Sequence, residues 1–111
     1  VFWIRIGTLA DFPPGEVRVR HLLGRPVGVR CAADGGLSAL ELACRHQGAD
    51  LSGVLGNGAI VTCPRHGWRY DLQTGDCLTR AEFPLRSVEV RREGESVFVR
   101  LPSRLGEAGE A

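Results

Sequence analysis

The chain contains neither lysine nor methionine, has one tyrosine, and shows no excess of either charge. Its purely apolar stretches run for only a few residues, far short of the roughly 20 that a membrane-spanning helix requires, so no membrane span is expected. The start, Val1-Phe2-Trp3-Ile4-Arg5, offers no basic leader, no apolar core of a signal peptide and no twin-arginine pair. An export signal is therefore not expected and a cytoplasmic location is, with the missing methionine pointing to a processed or trimmed start. Fourteen arginines against 13 acidic residues leave a net charge of +1, without the basic excess that marks a nucleic-acid binder. That every base is arginine decides nothing about function.

What is present reads as one globular domain over residues 1–111. Apolar residues make up 43% and charged residues 24% of the chain, and at this length roughly two-thirds of the unfolded surface can be buried. Fifteen glycines punctuate short segments, with turn signals at Pro13-Pro14-Gly15, Asp34-Gly35-Gly36, Gly56-Asn57-Gly58, Thr74-Gly75-Asp76 and Glu93-Gly94-Glu95. Glu16-Val17-Arg18-Val19-Arg20 and Ser87-Val88-Glu89-Val90-Arg91 alternate apolar with charged, the signature of half-buried strands. Further strands are expected at 2–6, 26–31, 37–43, 59–63 and 96–101, the last pairing with 86–92 across the turn at Gly94. No segment carries convincing helical periodicity. The fold class is all-β, and residues 102–111, small and polar, are expected to form a frayed tail.

Four cysteines in a chain without an export signal point to metal binding before a disulfide framework, and spacing sharpens that reading. Cys44-Arg45-His46-Gln47-Gly48 and Cys63-Pro64-Arg65-His66-Gly67-Trp68 each pair cysteine with histidine, with 16 residues between His46 and Cys63. On a loop, a Cys-x-His unit lets the two side chains diverge toward separate metal atoms, whereas a mononuclear site needs them to converge. A two-iron cluster suits that divergence. Gly48 and Gly67 permit positive φ and close backbone approach, so that N–H groups can face sulfur. A Cys2His2 zinc site is the alternative, since thiolate and imidazole also suit zinc. Zinc without iron or acid-labile sulfide in the purified protein would favour it.

Over residues 44–80 the chain resembles the Rieske iron–sulfur family, with Cys-x-His, an intervening loop, then Cys-Pro-x-His-Gly-Trp-x-Tyr-Asp and Thr-Gly shortly after. The resemblance implies an antiparallel β-sandwich or barrel with a small cluster-binding subdomain at about 44–80. It implies one [2Fe–2S] cluster, with Cys44 and Cys63 on the inner iron and His46 and His66 on the outer iron near the surface, the electron exit. Two ferric ions, two sulfides and two thiolates cancel, so the reduced site carries one negative charge. A four-cysteine cluster starts two units more negative. Histidine ligation thus raises the potential from about −400 mV to about −150 to +300 mV, and the ring N–H makes it pH-dependent at alkaline pH. Ala49 and Arg65 stand where the high-potential respiratory branch has disulfide cysteines, and Trp68 where it has a serine donating to sulfide. Tyr70 stands where a tyrosine can donate to a cysteinyl sulfur. The lower part of the range is expected, above its floor.

The resemblance further implies a ferredoxin-like one-electron carrier, not an enzyme by itself, that passes electrons from a flavin-dependent reductase to a terminal oxygenase or other redox protein. The same motifs look like the N-terminal domain of ring-hydroxylating oxygenases, whose further large domain with mononuclear iron this length does not accommodate. A Rieske subunit of a respiratory complex is a second alternative, without the disulfide cysteines or an anchor. Among the remaining residues, Cys31 and Cys77 are expected as buried thiols in strands, and His21 as an ordinary surface or edge residue. Trp68 is either a core aromatic beneath the loop or part of a partner surface. Arg45, Arg65 and Arg69 are candidates for a positive collar that steers an acidic partner. Asp71 is read as a cap on turn N–H groups and not as a catalytic carboxylate.

Overall fold

The computed structural model describes residues 3–45, 48–55, 59–65 and 67–101. Among these, eight strands form in chain order: β1 (Ile4–Thr8), β2 (Val17–Leu22), β3 (Arg25–Cys31), β4 (Leu37–Glu41), β5 (Ile60–Thr62), β6 (Arg69–Asp71), β7 (Ser87–Glu93) and β8 (Ser96–Arg100). Six make one sheet in the order β1-β8-β7-β4-β3-β2, and β5 with β6 makes a separate ribbon. All strand pairings are antiparallel. The large sheet curls until its edges nearly meet. Arg20 of β2 donates from Nε to the Ile6 carbonyl of β1 at 3.2 Å, and its guanidinium lies 5.1 Å from the centre of the Phe12 ring. The result is a nearly closed antiparallel barrel, as the sequence implied. The polar side of β2 is thus only partly solvent-facing, because Arg20 helps to close the barrel.

Strand alternation sorts the side chains into two apolar groups. Val27, Val29 and Cys31 of β3 and Ala39 of β4 point inward to meet Ile6, Phe12, Val88, Val97 and Val99. The other face of β2, β3 and β4 presents Val17, Val19 and Leu40, packed against Leu42, Leu51, Val61, Tyr70, Leu72 and Leu85. That second group seats residues 42–86 on the outside of the barrel. Gly28 makes the seating close: a Cβ there would lie 2.9 Å from Leu42 Cδ1 and 3.1 Å from Val17 Cγ1. At the same end of the barrel a diagonal pair joins β3 to β4, with Arg25 donating from Nε and Nη2 to Glu41 at 3.0 and 2.8 Å. Glu41 is 2% exposed.

The strands fall within about two residues of expectation, with two differences. Arg69–Asp71 is a strand, although its Tyr-Asp pair reads as a turn; Tyr70 lies opposite Val61 and is fully buried. Cys31 ends β3 as expected, whereas Cys77 makes an isolated bridge to Tyr70 outside the strands. The Gly94 turn joins β7 to β8 with φ +60°. The expected tail, 102–111, and the turn at 56–58 lie outside the described residues.

Candidate metal centre

Two loops of matching backbone geometry carry the cysteines. In the first, Cys44 N–H donates to the Ala49 carbonyl at 2.8 Å and Gly48 N–H to the Cys44 carbonyl at 2.7 Å. In the second, Cys63 N–H donates to the Trp68 carbonyl at 2.7 Å and Gly67 N–H to the Cys63 carbonyl at 3.0 Å. Gly48 and Gly67 adopt φ of +71° and +74°, in the left-handed region where a side chain would be strained. The glycine is thus four residues after the cysteine in each case, its N–H returned to the cysteine carbonyl. His46 and His66 fall between cysteine and glycine in the sequence and lie outside the described residues, as does Gln47. Among the described residues no cluster of three metal-ligating side chains forms.

Both thiols are 2% exposed and belong to one apolar group with Tyr70, Cys77 and Leu51. The Tyr70 hydroxyl lies 3.3 Å from Cys44 Sγ and accepts the Arg45 backbone N–H at 3.0 Å. Burial above all, and then the neighbouring Cys44 thiol, hold the phenol well above its ordinary pKa, so Tyr70 keeps its proton. A metal-bound thiolate can only accept. With one lone pair of the hydroxyl occupied by Arg45, the phenolic proton is directed at sulfur. Two buried thiols on matched turns, one facing a fixed hydroxyl donor, fit a thiolate-bound iron–sulfur centre.

A third segment borders the loops. Leu78 N–H donates to the Arg69 carbonyl at 2.7 Å and Leu85 N–H to the Gly75 carbonyl at 2.8 Å, bracketing residues 79–84. Within that span Phe83 stacks on Trp68, ring centres 5.9 Å apart and planes at 26°. Arg45 donates from Nη1 to the Pro84 carbonyl at 2.7 Å, its guanidinium 6.0 Å from the Phe83 ring centre. Trp68 is a core aromatic beneath the loop, packing against the buried group on one side and carrying Phe83, 40% exposed, on the other. Arg65 and Arg69 are exposed, whereas Arg45 is tied to this segment and is not a freely solvated collar charge. Nothing in the sequence signals that contact, which spans 39 residues.

The other candidates are buried or exposed as expected, with Cys77 outside the strands and one addition at His21. Asp71 accepts the Gln73 N–H at 2.8 Å, capping its turn, and Cys31 and Cys77 are buried thiols in different apolar groups. His21 is exposed on edge strand β2 but has a carboxylate neighbour that the sequence does not place beside it: Asp50 Oδ2 lies 3.3 Å from His21 Nε2. Period-two alternation explains this, since His21 shares a face with Val17 and Val19. Ser52 Oγ donates to Asp50 Oδ1 at 2.6 Å and approaches the same histidine nitrogen at 3.5 Å. Asp and Ser meeting one ring nitrogen do not form a charge-relay triad, which uses both nitrogens. Among the described residues no helix is long and apolar enough to cross a membrane.

The Rieske [2Fe–2S] domain model matches residues 2–91. A curated relative, the oxygenase component of 3-ketosteroid-9-alpha-monooxygenase from Rhodococcus rhodochrous, is 35% identical over 69 residues, covering 62% of this chain. The chain spans only 18% of that relative's length. Among solved structures, the oxygenase–ferredoxin complex of carbazole 1,9a-dioxygenase superposes with a TM-score of 0.70 at 26% identity, over 91% of this chain and 28% of the matched one. The ferredoxin of carbazole 1,9a-dioxygenase from Nocardioides aromaticivorans IC177 superposes with a TM-score of 0.67 at 25% identity, over 92% of this chain and 100% of that ferredoxin. The chain therefore belongs to the Rieske [2Fe–2S] domain family, and its cofactor is one Rieske-type [2Fe–2S] cluster.

Proposed function

We propose that this chain is a ferredoxin-like carrier of single electrons in which Cys44 and Cys63 hold one iron of the cluster and His46 and His66 hold the other. The observation that carries the assignment is the matched pair of loops, in which Cys44 and Cys63 occupy equivalent positions, each four residues before a glycine at positive φ. The cluster, when bound, takes up and releases one electron. Cys44 and Cys63 supply the buried thiolates. Tyr70 holds its proton toward Cys44 Sγ and favours the state with more charge on sulfur. The domain is read as a single unit, with residues 44–80 as the cluster-binding subdomain.

Its electron donor is read as a flavin-dependent reductase and its acceptor as a terminal oxygenase. Superposition on the whole length of a carbazole dioxygenase ferredoxin supports that reading. A second reading, the electron-entry domain of an oxygenase, is favoured by the similarity to an oxygenase component. EPR of the dithionite-reduced protein tests the ligand assignment: mixed cysteine and histidine ligation gives a lower average g value than an all-cysteine cluster. Replacing His46 or His66 by alanine is expected to abolish that signal, and retention of a native redox-active chromophore in either variant refutes the assignment. Reconstitution with a separate reductase and oxygenase distinguishes the roles. A carrier supports turnover in trans, and an oxygenase domain does not.

A further inference from the structure

We propose that Arg45 is a positioning residue which, with Phe83, clasps residues 79–84 across both cluster loops and limits the access of water to the metal centre. The inference rests on the assignment of residues 44–66 as cluster loops. Arg45 belongs to the first loop, between Cys44 and His46, and Trp68 closes the second, its carbonyl bound by Cys63 N–H. The 79–84 segment touches both. Pro84 receives the Arg45 guanidinium at 2.7 Å, and Phe83 lies on Trp68 while facing Arg45. The segment is anchored at its ends through Leu78 and Leu85, and at its start Thr79 Oγ1 accepts the Arg69 N–H at 3.0 Å while Arg80 N–H donates to Cys77 Sγ at 3.3 Å, with one internal turn bond from Phe83 N–H to the Arg80 carbonyl at 3.0 Å. Beyond Arg80 its side chains are exposed, so the Arg45 and Trp68 contacts are what draw Phe83 and Pro84 against the loops.

The chemistry of arginine suits this task. A planar guanidinium can donate to a carbonyl along its edge while its face meets an aromatic ring, which an ammonium cannot do. Loss of either contact would let residues 79–84 open as a local unit without unfolding the barrel. Opening admits water to the side of the loops that the segment covers. Since the reduced site carries the extra negative charge, water favours reduction, and a charge-neutral opening raises the midpoint potential.

The test uses cluster-loaded protein with Phe83→Ala, Arg45→Gln, Arg45→Lys and the double variant Phe83→Ala/Arg45→Gln. Trypsin cleaves after arginine, and the Arg80–Ala81 bond lies within the clasped segment. Both single variants are expected to raise the rate of cleavage there about five- to tenfold, the tenfold limit corresponding to ~1.4 kcal/mol. The double variant should rise by less than the product of the two, because both release the same segment. Bleaching of the visible spectrum in air should follow the same order, and Arg45→Lys should recover only part of the loss. Phe83→Ala, which changes no charge, should shift the midpoint upward with the EPR signal otherwise native. Cleavage and bleaching within twofold of the parent in both single variants would overturn the clasp. So would an effect of Arg45→Gln with none of Phe83→Ala, since that marks a purely electrostatic role. If the parent protein proves to hold zinc, the cluster assignment fails, while the cleavage rates still decide whether the clasp exists.

Discussion

Tyr70 satisfies two neighbours with one oxygen, accepting from the Arg45 backbone and facing Cys44 sulfur at 3.3 Å. Replacing it by phenylalanine keeps the buried ring and removes the donor. Tyr70→Phe is expected to retain the cluster and to lower its midpoint by about 30–60 mV in a redox titration, the one-electron equivalent of a hydrogen bond of ~1 kcal/mol. Asp50 offers a pH-dependent counterpart. The Ser52 hydroxyl first, then its N–H and His21, hold the Asp50 carboxyl below its ordinary value. A depressed folded pKa means that the stabilisation is complete above the ordinary carboxylate pKa and is lost as pH falls through the folded one. Asp50 is half exposed, so solvent screening limits the contribution to ~0.5 kcal/mol. Ser52→Ala should lower the melting midpoint by about 2–4 °C at pH 7. By far-UV CD that gap should narrow as pH falls below the ordinary carboxylate value and close only once the depressed folded pKa has been passed.

At the level of elements, the β2–β3 hairpin departs from the sequence's own turn rules. Leu23 and Gly24 form its tip with φ of +52° and +76°, a two-residue turn that ordinarily takes asparagine or glycine at the first position. Leu23 is 78% exposed and gains little packing to offset the left-handed strain, which is about 1 kcal/mol or more for a non-glycine residue. Leu23→Asn should raise the melting midpoint by about 4–8 °C, measured by far-UV CD. The long strands were legible because alternation over five to seven residues specifies a face. β6 was not, since three residues carry too short a period, and only the pairing of Tyr70 with Val61 reveals a strand. For the centre, Cys44, Cys63 and their two glycines could be read directly from spacing. The 79–84 segment could not, because Arg45 lies 39 residues before Pro84 and Trp68 does not neighbour Phe83 in any local pattern.

Across the whole molecule, the nearly closed barrel is bridged and buttressed by arginines that the sequence presents as merely charged. Arg20 bridges the sheet edges, and Arg25 holds Glu41 three residues before Cys44. The Arg25 and Glu41 side chains are 11% and 2% exposed, so removing one partner leaves the other charge poorly solvated. Glu41→Ala is expected to cost about 3 kcal/mol, lowering the melting midpoint by more than 10 °C. Replacing both members with Arg25→Met and Glu41→Leu should recover most of it, as scanning calorimetry would read. Because Glu41 ends β4 where the first loop begins, the single variant should also load less iron per chain.

The sequence alone determined the all-β class, the places of the long strands and the two Cys–His loops, because alternation, turn glycines and ligand spacing are local and act within a few residues. Tertiary structure decided what the loops rest on and what covers them. The seating of Leu42 over Gly28, the approach of Tyr70 to Cys44, the meeting of Asp50 with His21 and the reach of Arg45 to Pro84 all join residues distant in the chain. Such contacts follow from sheet register and curvature, which no short window of residues specifies.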